Sequence, residues 1–566
     1  MGLKTAILSL LTFVPLITGA PGLSSQSPSK RQACENTANA RNCWGDFDIS
    51  TNYYDEAPNT GVTREYWFNI VNTTAAPDGV ERIVLAVNGT IPGPTIIADW
   101  GDTVVVHVTN SMQDNGTSIH FHGIRQNYTN QNDGVAAITQ CPTAPGQTTT
   151  YRWRATQYGS SWWHSHFSVQ AWDGIFGGII INGPATANYD VDLGSMILSD
   201  WSHDTADNLA LVSRVSGPPS MDTGLINGTN TFTKEDGTVV GARHETVFTA
   251  GTRYRIRLVN VAADTHFKFT IDNHSMDVIA SDFVPVKPYS VDIVNIAIGQ
   301  RYDIIVTANA AADNYWLRAI AQTSCSNNDH PGDIKGIVRY DSTSTAEPTS
   351  KPNNNAAIDE CIDEINLVPY VKVDASDLAD ISTDFSVAVA ATAGRFYWSM
   401  GNSTFINQWK YPSLLQVHEE NNTWSAEQNM FQLPNANEWV YWIVQTSLGA
   451  AHPLHLHGHD FWVLGQGVGK YDPSTAWLRT VDVPRRDVVL LPASGWVVFA
   501  FITDNPGVWL THCHIAWHTT EGLAVQMVER QSEIAGIIDS DELTDTCDAW
   551  NVYATEANLV QDDSGL

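Results

Sequence analysis

The sequence predicts an all-β protein of about three sandwich domains, and three observations carry that prediction. The chain has 566 residues, too many for one ordinary core and suited to about three. Short alternating or β-branched runs recur along it, among them Asp102 to Thr109, Arg253 to Leu258 and Arg301 to Val306. Long stretches of helical periodicity are scarce between them, which favours sandwiches or barrels over mixed folds.

Lys4, the apolar run Ala6 to Ile17 and the small residues Thr18-Gly19-Ala20 read as an export signal over 1–20. A Ser/Pro-rich stretch follows and ends in Lys30-Arg31, so 21–31 reads as a pro-segment and the mature chain as starting near Gln32. The first sandwich is expected over 32–185, with a hairpin turn signal at Asn88-Gly89. The second, over 186–370, has a similar signal at Asn227-Gly228. It also repeats one phrase at the head of two strands, Gly251-Thr252-Arg253-Tyr254 and Gly299-Gln300-Arg301-Tyr302. Its Thr/Ser/Pro/Asn-rich stretch from Ser342 to Ala357 reads as a linker or exposed loop. The third sandwich fills 371–566.

Charged residues make up only 16% of the chain, yet 61 acidic against 30 basic side chains leave a net charge of −31. Such a surface argues against nucleic acid and anionic membrane as partners. No segment beyond the signal reaches the length of a membrane span. Sequons at Asn72, Asn88, Asn115, Asn127, Asn227, Asn273, Asn402 and Asn421 fit a secreted glycoprotein. The seven cysteines are an odd number for such a protein. With Cys513 as a metal ligand, Cys34, Cys43, Cys141, Cys325, Cys361 and Cys547 remain, enough for three disulfides.

The chemistry concentrates in histidine. Of 18 histidines, ten fall into four tight groups: His120-Phe121-His122, His164-Ser165-His166, His452-Pro453-Leu454-His455-Leu456-His457, and His512-Cys513-His514 with His518 close behind. Every group contains a His-x-His pair, which a strand presents on one face while the residue between points to the other. Two pairs lie in the first third of the chain and two in the last. If those domains pack together, eight imidazoles converge: too many for one copper, suited to three. His452, Cys513 and His518 remain as the His₂Cys set of a blue-copper site. A zinc site fits poorly, since structural zinc takes four ligands and catalytic zinc about three. His107, His203, His244, His266, His274, His330, His418 and His459 are read as surface or hydrogen-bonded residues.

These four motifs resemble those of the multicopper oxidases, most closely the secreted laccases of ascomycete fungi. The similarity extends to Thr139-Gln140-Cys141-Pro142, Pro484-Arg485-Arg486-Asp487, Thr503-Asp504-Asn505-Pro506-Gly507 and Asp563-Ser564-Gly565-Leu566. The resemblance implies three cupredoxin-like Greek-key sandwiches and four copper ions per chain. It assigns His452, Cys513 and His518 to a type 1 copper, and His120 and His455 to a type 2 copper. His122, His164, His166, His457, His512 and His514 fall to a type 3 pair. It further implies the pairings Cys34–Cys43, Cys141–Cys547 and Cys325–Cys361, and a C-terminal tail that enters the channel to the trinuclear site. One departure is Phe121, where laccases generally have Trp; it touches no ligand position.

On that basis the chain is expected to be a monomeric enzyme that oxidises phenolic or aromatic donors one electron at a time and reduces dioxygen to water. Asp133 stands where the family keeps a carboxylate near the type 2 copper, to relay protons. Asp264 resembles the acidic residue that takes the phenol's proton, with the loop Gly217 to Met221 and Trp517 shaping the pocket. Leu523 takes the axial place where some relatives put Met; a leucine cannot donate to the metal, so a fairly high potential is expected. The rivals are a metallo-oxidase or an ascorbate-oxidase-like enzyme on the same scaffold, and a blue-copper carrier, which would leave eight paired histidines without a role.

Overall fold

Every strand run named from the sequence is a strand in the computed structural model, as Thr103–Asn110, Arg253–Asn260 and Arg301–Thr307. The structure describes residues 34–566 apart from 422, so the export signal and pro-segment expected over 1–31 lie outside the described residues. The two strands opened by the repeated Arg-Tyr phrase are antiparallel neighbours, with Arg253 opposite Thr307. The Asn88-Gly89 turn has φ of 53° and 78° and closes a single bridge between Val87 and Thr90; the strands on either side of it, Arg82–Val87 and Ile96–Asp99, lie in different sheets.

Six large sheets make three sandwiches. Two four-stranded sheets lie between Thr63 and Asn182, a six- and a five-stranded sheet between Val191 and Arg339, and another six and five between Ile381 and Glu529. In the first sandwich Phe68, Val106 and Trp153 of one sheet share a core with Ile96, Trp163 and Ile179 of the other. The second and third sandwiches share one continuous apolar core, running from Leu258 and Phe267 to Leu454, Trp509 and Leu523. The stretch from 342 to 357 carries no strand.

The pairings Cys34–Cys43, Cys141–Cys547 and Cys325–Cys361 are all formed. Cys513 is the one cysteine left free among the described residues, and it is buried. Cys547 lies on a helix that the strand-based reading did not anticipate, Ser540–Glu556, capped by Asp539 accepting from the Glu542 N–H. Its buried residues Leu543, Cys547 and Trp550 have the i, i+4, i+7 spacing of one helical face, which was there to be read. The end of the chain is docked rather than frayed. Ser564 and Leu566 are 2% and 1% exposed, and the Trp409 indole donates to the Gly565 carbonyl at 3.1 Å.

Candidate metal centres

The four His-x-His pairs share one local design. In each, the first histidine is the penultimate residue of a strand and the second is the first residue beyond it. The strands are Ile119–Phe121, Gly159–Ser165, His452–Leu456 and Gly507–Cys513. Period-two alternation therefore aims both rings the same way just where the ladder ends. The strand of the last pair stops at Cys513, and His518 sits on the short helix Ala516–Thr520 that follows.

Register then sorts the side chains. His452–Leu456 pairs antiparallel with Gly507–Cys513, placing Leu454 opposite Cys513 and His455 opposite His512. His452 shares the face of Leu454 and Cys513; His455 shares the face of His512. On the first face, Cys513 Sγ lies 3.8 Å from His452 Nδ1 and 3.5 Å from His518 Nδ1, with the two nitrogens 3.2 Å apart. Burial pushes the Cys513 thiol well up, so a bound cation is what would draw off its proton. Leu523 is fully buried, and its backbone accepts from Cys513 N and donates to His518 O. Its side chain belongs to the same apolar cluster as Cys513. Trp398 covers His518, with ring centroids 3.8 Å apart.

On the other face the first and third sandwiches meet, and eight imidazoles converge with centroid separations from 3.9 Å for His122 and His455 to 5.9 Å for His455 and His514. Triads of ligand atoms from His120, His455 and His457, from His120, His122 and His164, and from His166, His457 and His512 each fall within 4.8 Å. All eight have a buried Nε2 with no hydrogen-bond partner. Five of the eight are also held through Nδ1. Nδ1 of His120 donates to Asp133 O at 2.7 Å, that of His164 to Ser165 O at 2.9 Å and that of His455 to Asp487 O at 2.8 Å. Nδ1 of His457 bonds Asp133 Oδ2 and that of His512 bonds Cys513 O, both at 2.9 Å. Orphaned Nε2 atoms backed by Nδ1–H donors are how proteins orient histidine for a metal. Burial first, then neighbouring imidazoles, hold His122, His166, His455, His457 and His514 well below the usual histidine pKa. Burial alone carries His452 down to about 4. Neutral, desolvated imidazoles are the form a metal needs.

Asp133 is fully buried between His120 and His457, and its Oδ1 makes no hydrogen bond. The Asp-Gly pair is also a turn: Gly134 has φ of 74°, and a Cβ there would stand 1.8 Å from the Ile119 carbonyl. No other residue fits behind His120. Asp264 is 5% exposed, not a surface loop residue, and its Oδ2 makes no hydrogen bond. Asp200 holds its loop by accepting from the N–H groups of Ala263, Asp264 and Thr265. The Ala263 carbonyl accepts from Ala516 N, which brings the loop against the His518 helix. Burial, then the Asp200 carboxylate, push the Asp264 pKa well up. His459 donates from Nδ1 to the His457 carbonyl and lies 3.1 Å from the Glu529 carboxylate instead of joining the cluster.

The motif Pro484 to Asp487 turns out to carry a role that its spacing did not reveal. Asp487 lies 3.3 Å from His122 Nε2 and is gripped from the second sandwich by Arg301. Such a long-range pair leaves no local pattern in the chain.

Three family models described as multicopper oxidase match residues 69–186, 194–343 and 399–533, and the chain belongs to the multicopper oxidase family. It is 47% identical to Laccase-2 of Botryotinia fuckeliana, over 95% of this chain and 94% of that protein. The crystal structure of the laccase from Botrytis aclada matches with a TM-score of 0.90 at 46% identity, covering 94% of this chain and 100% of that one. Fet3p, a multicopper oxidase that functions in iron import, matches with a TM-score of 0.78 at 27% identity, covering 89% and 97%. Family membership implies copper as the metal.

Proposed function

We propose that this chain is a laccase-type multicopper oxidase, taking single electrons from phenolic or aromatic donors at one site and delivering four to dioxygen at the other. One observation carries the reading: adjacent residues of one strand, His512 and Cys513, face two different donor clusters. In this reading His452, Cys513 and His518 hold the type 1 copper, His120 and His455 the type 2, and His122, His164, His166, His457, His512 and His514 the type 3 pair. That makes four ions per chain, on domains bounded near 185 and 370. When bound, copper supplies the one-electron steps and the storage that match single-electron donors to a four-electron acceptor.

The chain's own residues do the rest. Asp264 accepts the phenol's hydrogen bond and proton. Trp517 and the loop from Gly217 to Met221 bound its pocket. Asp133, touching both His120 and His457, relays protons toward dioxygen. Leu523, buried in the apolar cluster of Cys513, would offer no donor atom to a copper held by His452, Cys513 and His518. The Asp563 to Leu566 tail closes the channel toward the trinuclear site. The enzyme is read as a secreted monomer; no helix among the described residues is long and apolar enough to cross a membrane.

The metallo-oxidase reading draws on the likeness to Fet3p. Copper analysis with paired assays on a phenol and Fe(II) tests both. About four coppers per chain with preference for the phenol supports the laccase; preference for Fe(II) supports the metallo-oxidase; a single copper overturns both.

A further inference from the structure

Behind the strand that carries His512 and Cys513 lies a hydroxyl that none of these roles uses. Thr519 is 6% exposed on the helix Ala516–Thr520. Its Oγ1 donates to the Cys513 carbonyl, which also accepts from His512 Nδ1 at 2.9 Å. The same Nδ1 stands 3.3 Å from Thr519 Oγ1. Because His512 Nε2 is the orphaned atom facing the cluster, Nδ1 carries the ring hydrogen. Three groups therefore close a triangle. The hydroxyl hydrogen lies on the carbonyl, and the imidazole hydrogen is divided between carbonyl and hydroxyl oxygen. Among the described residues the Ile515 carbonyl is the hydroxyl's only other acceptor, at 3.3 Å. The helix itself is fastened by the docked tail: Ser564 Oγ donates to Thr519 O at 2.8 Å and Ser564 N to Thr520 O at 2.9 Å.

We propose that Thr519 is a positioning residue for electron passage between the two metal sites, fixing the Cys513 carbonyl and the His512 imidazole as one hydrogen-bonded unit. The proposal rests on the assignment of Cys513 and His512 to different coppers. Along the backbone the route from Sγ to the His512 ring is long. Through Cβ, Cα and the carbonyl it is short, and its last link is the hydrogen bond to Nδ1. A second donor on that carbonyl polarises it and stops the peptide plane from turning, and bonds in such a closed buried set reinforce one another. Without the hydroxyl, the carbonyl keeps one donor and the ring loses its second contact. For each donor oxidised one electron crosses: the Cys513 side is oxidised by one, the His512 side reduced by one. No bond is made or broken, and Thr519 keeps its proton.

The test uses the copper-loaded enzyme and follows the return of the type 1 absorption, bleached by rapid reduction, as electrons move on to the second site. Thr519→Val keeps the volume and removes the hydroxyl. The expected result is an internal transfer rate about tenfold lower, the size of one lost hydrogen bond. The type 1 band, the type 1 potential and KM for the donor should stay unchanged. Thr519→Ser should restore the rate to within about twofold of wild type, because it returns the donor. If Thr519→Val binds no copper, Thr519→Ala against Thr519→Ser decides on the same readout. A wild-type rate that Thr519→Val leaves untouched, or a serine variant as slow as valine or alanine, overturns this proposal alone. A wild-type protein with no transfer between sites overturns the functional reading and this proposal together.

Discussion

Arg301 grips Asp487 through two parallel bonds of 2.5 and 2.6 Å, joining the second sandwich to the third beneath the histidine cluster. Both side chains are 1% exposed, and Asp487 reaches on to His122 Nε2 at 3.3 Å while its backbone carbonyl fixes His455. The pair therefore ties domain packing to the orientation of two rings. Arg301→Lys keeps the charge but cannot supply the planar fork. Asp487→Asn removes the bidentate partner and leaves the buried guanidinium facing only Asp282, 3.5 Å away, a loss of up to about 3–5 kcal/mol in comparable pairs. The expected outcome for Asp487→Asn is a lowered melting temperature and reduced copper content with the type 1 absorption retained. Loss of the type 1 band alone would contradict this placement.

Cys141 and Cys547 are 406 residues apart in sequence, so their bond constrains nearly the whole unfolded chain. Cys547→Ser is expected to destabilise the fold by about 2–5 kcal/mol. The Ser540–Glu556 helix, held otherwise mainly through Leu543 and Trp550, should loosen first. Hydrogen exchange checks this: faster exchange confined to that helix fits, while uniform exchange across the third sandwich does not.

The histidine pairs, the lone Cys513 and the three-sandwich fold were legible in the sequence because strand alternation is a local rule that reads directly onto residue numbers. His518 was legible as a donor but not as a helical residue, since Ala516–Thr520 is only five residues long and too short to show a period. The helix that carries Cys547 did have a readable face. Asp487 with Arg301, and Thr519 against Cys513, were out of reach. The first joins residues 186 positions apart, and the second depends on a carbonyl, which no side-chain pattern records.

Leu523 is fully buried in the cluster of Cys513, and its backbone bonds both Cys513 and His518. Leu523→Met fills a similar volume and brings a thioether toward the metal. An added donor favours the oxidised ion, so the type 1 potential should fall, and with it the rate on donors that are hard to oxidise. Redox titration of both proteins decides; a variant potential equal to or above wild type would sink the axial argument.

Asp264 combines burial, an unbonded Oδ2 and a neighbouring Asp200, each of which favours holding a proton. As the acceptor for a phenol, it must be ionised, so phenol oxidation should decline as pH falls through its raised pKa. Asp264→Asn is expected to lower kcat/KM for phenols by about 10²–10⁴-fold, the range for a lost general base, and to abolish that acid limb. A non-phenolic donor, with no proton to give up, should be little affected. Equal losses on both donors would dismiss the assignment.

The histidine cluster also sets how copper-free protein responds to acid. Burial carries His452 and His512 down to about 4 and, with neighbouring imidazoles, holds His166 and His457 well below the usual histidine value. A histidine with a depressed folded pKa contributes stability above its unfolded value of about 6.5, and that stability is lost as pH falls through the folded value. For His452 and His512 the loss is on the order of 3 kcal/mol each. Asp563 and Asp487, each raised to about 7 by burial, and Asp264, pushed well up, work in the opposite direction, losing stability as pH rises. The depressed histidines outnumber these carboxyls, so the copper-free melting temperature should fall below about pH 6.5. Copper on the same nitrogens competes with protons and should shift that fall to lower pH. Melting curves of loaded and copper-free protein across this range test the claim; identical pH profiles would mean that copper is not held by these imidazoles.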